Sequence, residues 1–513
     1  MQAVVSVRGM REGDANEISR GTSGRELMER AAKGIFDAYP FSGRTAIVCG
    51  TGNNGGDGYA LALLLHAAQI PCELFPVEER FSVAGRFFYD ACVRAGIPVT
   101  VCDEKTDFSG FAEIVDCIFG TGFQGEAAEP FAGVIRKINR SGSVVISADI
   151  NSGLCGENGL AALCVTSDLT VSIGTRKPGH FLNQAQDVIG KLVNADIGIP
   201  VADEHLHLAE AGDFWTVLRP RRHFSNKGDY GYVTVFGGSP EYAGAAKLAN
   251  LSASALRSGC GVAQLAVPES IAGAVAPFLL ESTLLPVPAD ETGKMKYCPA
   301  LLDHLLARQA SMAVGMGWGR SPEYEKILSH LLEHGTIPLV IDADGINTLS
   351  GMDLTALKRT QCRVVLTPHP KEFERLSGVP VGEILRDPIG YARSFAKEYG
   401  VCLLLKGCCT VVSDGEETLL VNRGCAGMAT AGSGDVLSGI LAGLLGFCRE
   451  DLLLTVACGA YLAGRAGELA EEKTNAVSMI ASDTVGQIGC AVGELLKSFG
   501  DGENSGKRFT SGI

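Results

Sequence analysis

Three short stretches in the first half of the chain place oxygen- and amide-bearing side chains where an apolar run gives way to a loop. GTGNNGGDG (50–58) follows TAIVCG (45–50), VDCIFGTG (115–122) carries Asp116, and ADINSG (148–153) carries Asp149 and Ser152. Glycine lets a backbone come close to a ligand, and Asn53, Asn54 and Asp57 add polar groups beside Gly55 and Gly56. The helix expected after this loop would aim its first amides, and the positive end of its dipole, at a phosphate. An aspartate at a strand end also serves as a cap for the next helix. Three such loops at parallel strand ends, however, converge on one crevice. Amide, hydroxyl and carboxylate oxygens without His or Cys suit a hard cation such as K⁺ or Mg²⁺ rather than zinc. Asp149 in such a cleft is suited to acid–base work.

The second half has its own set. In GCAGMATAGSGDVLSG (424–439), Gly432, Ser433 and Gly434 precede Asp435 at the start of a long apolar helix. Backbone amides there form an anion hole for a transferring phosphoryl group, and Asp435 can take the proton of a hydroxyl that attacks it. The plainer role for Asp435 is a helix cap, which does not need three small residues in front. LLLKGCCT (403–410) sets Lys406 at a strand end before the small residues Gly407, Cys408, Cys409 and Thr410, apt for a nucleotide phosphate. TPHPKEFERL (367–376) presents His369, Lys371 and Glu372, and IDADGIN (341–347) presents Asp342 and Asp344. His369 alone could equally be a structural histidine.

The elements that must position these groups are legible as alternating apolar runs and helical patterns. TAIVCG, CELFPV (72–77), VTVCD (99–103), EIVDCIFG (113–120), SVVISADI (143–150), LTVSIG (169–174) and GKLVNADIG (190–198) read as strands. A helix over 59–68 follows the first. Strands separated by helical crossovers predict a parallel, doubly wound sheet. The pattern weakens over 200–226 and restarts with YVTVFGGS (232–239), a helix over 245–258, VAQLAV (262–267), MAVGMG (312–317), PLVIDADG (338–345), RVVLTPHP (363–370), VCLLLKG (401–407) and TVVSDG (410–415). The expected organisation is an α/β chain with domains at 1–213 and 214–498 and a disordered tail at 499–513.

Composition narrows the function. A net charge of −14 argues against nucleic acid as a partner, since phosphate backbones need a basic footprint. No apolar run reaches the roughly 18 residues of a membrane span, and the first 14 residues lack the core of a secretory signal. The 17 cysteines include no CxxC pair, so they read as reduced, mostly buried thiols and the setting as cytoplasmic.

With LMERAA (27–32) and KPGHFLNQ (177–184), the first-half motifs resemble the NAD(P)HX epimerase family over most of residues 10–200. That resemblance implies a Rossmann-like domain that interconverts the epimers of hydrated NADH or NADPH and binds K⁺. It implies that Asn53, Asn54, Gly55, Gly56 and Asp57, with Gly120, Thr121, Gly122, Phe123, Gln124, Gly125 and Glu126, hold the dinucleotide. It further implies that Asn54, Asp116 and Ser152 ligate K⁺ and that Asp149 is the acid–base group. Asn151 stands where the family usually has proline, which predicts a looser turn.

NKGDYGYVTVFGGS (226–239), YAGAAKLA (242–249), GMGWG (315–319) and the second-half motifs above resemble the ribokinase-like superfamily, and more closely the NAD(P)H-hydrate dehydratase family, over about 225–495. The resemblance implies removal of water from the hydrate at the expense of ADP or ATP with Mg²⁺. Ala245, Gly317, His369 and Asp435 would contact the hydrate; Lys406 to Thr410 and Gly434 would contact the nucleotide. Departures are Cys408 and Cys409, and Cys425-Ala426 where Asn-Pro is usual. A homo-oligomer is implied by the family. Three other readings stay open at this point: a small-molecule kinase, whose product keeps the phosphate; a first half that only binds; and a regulatory dinucleotide sensor that binds the hydrate without turnover.

Overall fold

Runs such as Thr45–Cys49 and Glu113–Cys117 are buried at every position rather than alternately, which is the signature of strands covered on both faces. The computed structural model describes residues 1–201, 205–253, 258–448 and 450–500; residues 501–513 of the expected tail lie outside the described residues. Two units are present: Ala3–Leu206, and Met1–Gln2 with His207–Ile513.

The first unit is built on strands β1 (Thr45–Cys49), β2 (Cys72–Pro76), β3 (Glu113–Cys117), β4 (Val144–Ala148), β5 (Ser167–Ile173) and β6 (Ile189–Ala195). They run in the order β2-β1-β3-β4-β5-β6, all parallel. Loops after β1, β3 and β4 therefore leave the same end of neighbouring strands. The run at 99–103 contributes only a bridge between Val99 and Leu74. It lies beside β2 at the sheet edge, where Val101 is exposed, so little apolar burial holds it in register.

Helices α1 (Val7–Ser19) and α2 (Gly24–Ala38) start at serine caps; Ser23 and Glu26 form a reciprocal capping box. Helix α3 spans Asn53–Ala67, so NNGGDG is its first turns and not a loop before it. Glycine is a poor helix former, but close packing requires it here. A Cβ on Gly55 would fall 2.1 Å from the Gly50 carbonyl oxygen, and one on Gly58 would fall 2.9 Å from Cys49 Sγ and 3.0 Å from Cys117 Sγ.

The second unit holds β7 (Tyr232–Phe236), β8 (Val262–Pro268), β9 (Thr283–Val287), β10 (Ser311–Val314), β11 (Leu339–Ile341), β12 (Val364–Leu366), β13 (Cys402–Leu405), β14 (Thr410–Ser413) and β15 (Thr418–Val421). Their order is β15-β14-β13-β12-β11-β10-β7-β8-β9. Strands β7 to β13 pair in parallel; β14 turns back antiparallel to β13, making Lys406–Cys409 a hairpin connection. Strands β9 and β15 carry no clear alternation in the sequence and were not expected. Helices α4 (Ala243–Ala253), α5 (Pro370–Ser377), α6 (Ser433–Phe447) and α7 (Leu452–Lys473) bring the remaining site residues. Helix α7 is, contrary to the expectation of no span-length run, long and apolar enough to cross a membrane by length and composition. Its apolar window is 72% buried inside the unit, as a core helix requires.

Candidate active sites

Asp149 follows β4 at φ +65°, a left-handed conformation that costs a non-glycine residue about 1–3 kcal/mol and persists only where its surroundings enforce it. They do. Oδ2 accepts from the Thr121 amide and hydroxyl, both at 2.9 Å, and Oδ1 accepts from Lys177 Nζ at 2.7 Å. His180 Nε2 lies 2.7 Å from the Asp149 carbonyl oxygen, while its Nδ1 accepts from the Lys177 amide at 3.0 Å. Burial alone would push the Asp149 carboxyl up, but the charge and hydrogen bond of Lys177, with the Thr121 amide, outweigh it and hold the carboxyl below the usual range. His180 is pushed down to about 4 by burial and by Lys177, so the ring is neutral.

Asp149 and Lys177 line a cavity of about 540 Å³ with Asn53, Asn54, Asp57 and the loop Gly120–Phe123. The other wall comes from α1 and α2 through Met10, Arg11, Asp14 and Leu27. Two carboxyls in this cavity are driven opposite to Asp149. Asp57 is pushed well up by burial and by the charges of Asp149 and Asp14, and Asp14 is raised by burial against the opposing pull of Lys177. One pocket thus holds a carboxyl pushed down beside two pushed up, the kind of separation that sets apart acid and base roles.

Asp116 closes β3 and is fully buried. Its oxygens accept from Ser147 Oγ (3.0 Å), the Ser152 amide (2.8 Å), Ser152 Oγ (2.5 Å) and the Ile118 amide (3.2 Å), all neutral donors. Burial still wins and raises its pKa. Ser152 Oγ also accepts from the Phe119 amide at 2.8 Å. Next to Phe119, Gly120 presses on Asn54: a Cβ there would stand 3.5 Å from Asn54 Cβ. Asn54 itself is 7% exposed, and neither its amide nitrogen nor its oxygen has a hydrogen-bond partner among the described residues. A buried carboxylate bonded only by neutral donors, and an orphaned buried amide on the helix that follows the neighbouring strand, have the chemistry of ligands to a hard cation.

Not every expected residue faces the cavity. Gly55 and Gly56 are buried against Gly50 and against Met28 and Gly85, so they set how closely α3 approaches the strands. Gln124, Gly125 and Glu126 lie beyond the cavity lining. Lys177 and His180 lie in KPGHFLNQ, which carried the resemblance but no role for either, and Arg11 and Asp14 were not singled out; nothing local tells a lysine after β5 that it will reach back to the end of β4. Asn151 overturns the expectation of a loosened turn. Its fully buried amide donates to Val165 O, Ser167 Oγ and Val188 O and accepts from Thr170 Oγ1 at 2.6 Å. Hydrogen bonds supply the rigidity that a proline ring would.

In the second unit, Gly432 adopts φ +96° and α6 begins at once, placing Asp435 in its first turn. Lys406 Nζ lies 3.0 Å from Asp342 Oδ1 and 3.7 Å from Glu372 Oε2, and Ser438 Oγ donates to Asp342 Oδ2 at 2.7 Å. A Cβ on Gly434 would fall 3.3 Å from Lys406 Nζ, so glycine keeps the helix start against the ammonium. Burial and the Asp342 charge push Asp435 up to about 7, against the pull of Lys406. For Lys406, burial is outweighed by Asp342 and Glu372, which hold its pKa up.

His369 caps α5: its Nδ1 accepts from the amides of Lys371 and Glu372. Burial lowers its pKa, against the pull of Glu372, whose Oε1 lies 3.6 Å from Nε2. Gly317 and Ala245 are brought together: a Cβ on Gly317, at φ +66°, would sit 3.0 Å from Ala245 Cβ. The Gly319 amide donates to Asp344 Oδ2 at 2.7 Å, tying that loop to the end of β11. Gly407 and Cys408 are exposed in the hairpin connection, Cys409 is buried, and Thr410 opens β14.

Comparison with known proteins is consistent with two adjoining modules. A family profile described as NAD(P)H-hydrate dehydratase matches residues 233–488, and one described as YjeF-related protein N-terminus matches residues 24–179. The bifunctional NAD(P)H-hydrate repair enzyme of Moorella thermoacetica is 35% identical over 89% of this chain and 90% of its own length. That of Escherichia coli is 31% identical over 89% of this chain and 87% of its own. Among solved structures, a ribokinase-like superfamily protein from Enterococcus faecalis aligns with a TM-score of 0.50 at 24% identity, covering 58% of this chain and 98% of that one; it speaks to the fold alone.

Proposed function

The chain belongs to the family of bifunctional NAD(P)H-hydrate repair enzymes, and we propose that its first unit interconverts the epimers of hydrated NADH and NADPH while its second removes water from the hydrate at the expense of ADP or ATP. The observation that carries this reading is Asp435, a carboxyl pushed up to about 7 in the first turn of a helix whose Gly434 packs against Lys406.

Hydroxide is a poor leaving group, and Asp435 takes the proton of the hydrate's hydroxyl so that its oxygen can be phosphorylated and leave as phosphate instead. The alkoxide oxygen attacks the terminal phosphoryl group and the bond from that phosphorus to the nucleotide's bridging oxygen breaks; phosphate then leaves the hydrated carbon as the ring nitrogen's lone pair forms an iminium, and loss of a proton from the adjacent ring carbon to the departing phosphate restores the carbon–carbon double bond. The amides of Gly434 and its neighbours, with Lys406, balance charge on the phosphoryl group. Mg²⁺ held mainly by the nucleotide would add to that balance; among the described residues no three His, Cys, Asp or Glu form a cage that would hold it without phosphate. We take ADP as the preferred donor, as the resemblance implies.

In the first unit, Asp149 is held ionised and takes the hydroxyl proton of the hydrated carbon; the bond from that carbon to the ring nitrogen breaks, its electron pair going to the nitrogen and leaving an aldehyde, then re-forms on the other face as Asp149 returns the proton to the oxygen. Asn54, Asp116 and Ser152 would hold K⁺, whose charge would offset the buried Asp116 carboxylate and fix the loop after β3. Free thiols throughout both units support a reducing, cytoplasmic setting.

The test follows absorbance at the dihydronicotinamide band with each pure epimer, K⁺, Mg²⁺ and ADP or ATP, and measures phosphate in parallel. Recovery from both epimers with phosphate released in step is expected. Recovery from the S epimer alone would remove the epimerase, and phosphate retained on the product would make the second unit a kinase.

A further inference from the structure

The cavity of the first unit is charged in an unbalanced way for a ligand that carries a diphosphate. Of its two cations, Lys177 is 1% exposed and committed: its ammonium bonds Asp149 Oδ1 and the Ile173 carbonyl, each at 2.7 Å. The other is Arg11, on α1, one turn before Asp14. No carboxylate is within salt-bridge distance of its guanidinium among the described residues, and its Nη2 donates to the Gly122 carbonyl at 3.2 Å. A Cβ on Gly122 would fall 2.7 Å from that same nitrogen, so glycine leaves the guanidinium room against the loop. The arginine is thereby docked at the cavity rim with most of its five donors unused. The first turn of α3 opens into the same cavity and presents Asn54, buried and without partners.

We propose that Arg11 is the phosphate-recognition residue of the first unit, binding the dinucleotide's phosphate across the cavity from the start of α3. This rests on the epimerase reading above. The fork geometry of guanidinium suits bidentate contact with phosphate oxygens, and a cation at the rim draws an anionic substrate into a cavity whose other cation, Lys177, is committed to Asp149. The phosphate could be the bridging diphosphate or the 2′-phosphate that separates NADPH from NADH.

The experiment measures epimerisation of the R hydrate of NADH and of NADPH by the full chain without adenine nucleotide, so the second unit is silent. It compares wild type with Arg11→Met and Arg11→Lys at low and high salt. Loss of a charge-assisted contact raises KM by about tenfold or more, with kcat within about twofold. A rise for both hydrates in Arg11→Met, partly restored in Arg11→Lys and smaller at high salt, assigns the diphosphate; a rise for the NADPH hydrate alone assigns the 2′-phosphate. An unchanged KM for both overturns the proposal. So does an equal fall of kcat in Met and Lys variants, which means Arg11 only braces the Gly122 loop. Calorimetric titration of the same proteins with NADPH hydrate keeps the two readings apart: one of the two binding events lost in Arg11→Met while wild type fails to epimerise would leave Arg11 assigned and the epimerase reading refuted, and both events unchanged would refute Arg11.

Discussion

Lys177 and Asp149 lie 28 residues apart in the chain yet share a hydrogen bond of 2.7 Å, with the lysine 1% exposed. The ammonium and the carboxylate answer each other's burial, and the ammonium keeps Asp149 ionised. Because this carboxyl's folded pKa lies below its unfolded one, the pair's stabilisation is fully present above the ordinary carboxylate value. It is lost only as pH falls through the depressed folded value.

Removing the lysine should therefore be costly. Lys177→Met leaves a buried carboxylate without its cation, a loss of about 3–5 kcal/mol. Urea unfolding of the first unit reads this directly. The gap from wild type should narrow on acidification through the ordinary carboxylate range, where the variant's Asp149 takes up its proton. A gap that does not change with pH would mean the lysine acts through packing.

The orphaned Asn54 amide leads to a second expectation. K⁺, but not Na⁺ or choline at equal ionic strength, should raise the thermal midpoint of the first unit; at a hundredfold excess over the dissociation constant the gain is about 2.7 kcal/mol. Asn54→Leu should abolish the K⁺ response while leaving dehydration of the S epimer intact. A K⁺ response that survives the substitution places the cation elsewhere.

For the second unit, the rate of nucleotide-coupled dehydration should climb with pH up to about 7 and then level, because Asp435 acts in its ionised form. Asp435→Asn should lower it by about 10²- to 10⁴-fold with epimerisation unchanged. Lys406→Met removes a charge that holds Asp435 down, so its remaining activity should show the limb at higher pH. An unmoved limb would assign it to another group.

Asn151→Ala strips the turn after β4 of four hydrogen bonds and leaves buried carbonyls of Val165 and Val188 without this donor. A loss of about 1–3 kcal/mol is expected, together with a fall in epimerase kcat. Asn151→Pro should not rescue it, since a pyrrolidine ring offers none of these bonds. Chemical denaturation and the epimer assay on both variants check this.

Asp435 was legible because the signal is local: Gly-Ser-Gly followed by aspartate at the start of an apolar run. The alternation that sets β1, β3, β4 and β5 in one parallel sheet was legible for the same reason, and with it the convergence of Asn54, Asp116 and Asp149. NNGGDG misled as to its conformation. Its glycines read as loop by propensity, whereas contacts with Gly50, Met28 and Cys117 make them the residues that fit a helix there. Lys177, His180 and Arg11 stayed hidden because their partners lie on other elements. Asn151 read as a lost proline, since the four groups that bind it are spread over residues 165–188.

The seat of α3 on β1 and β3 has one more consequence. Cys49 and Cys117 sit beneath Gly58 with no exposure, and Cys92 beside them is equally shielded; burial pushes the first two thiols well up and Cys92 to about 12. Such thiols do not react while the helix stays down. They are a built-in clock for it: the rate at which an alkylating reagent consumes them reports how often α3 lifts from the sheet, and the cation, the substrate and each variant above can be ranked by how far they slow it.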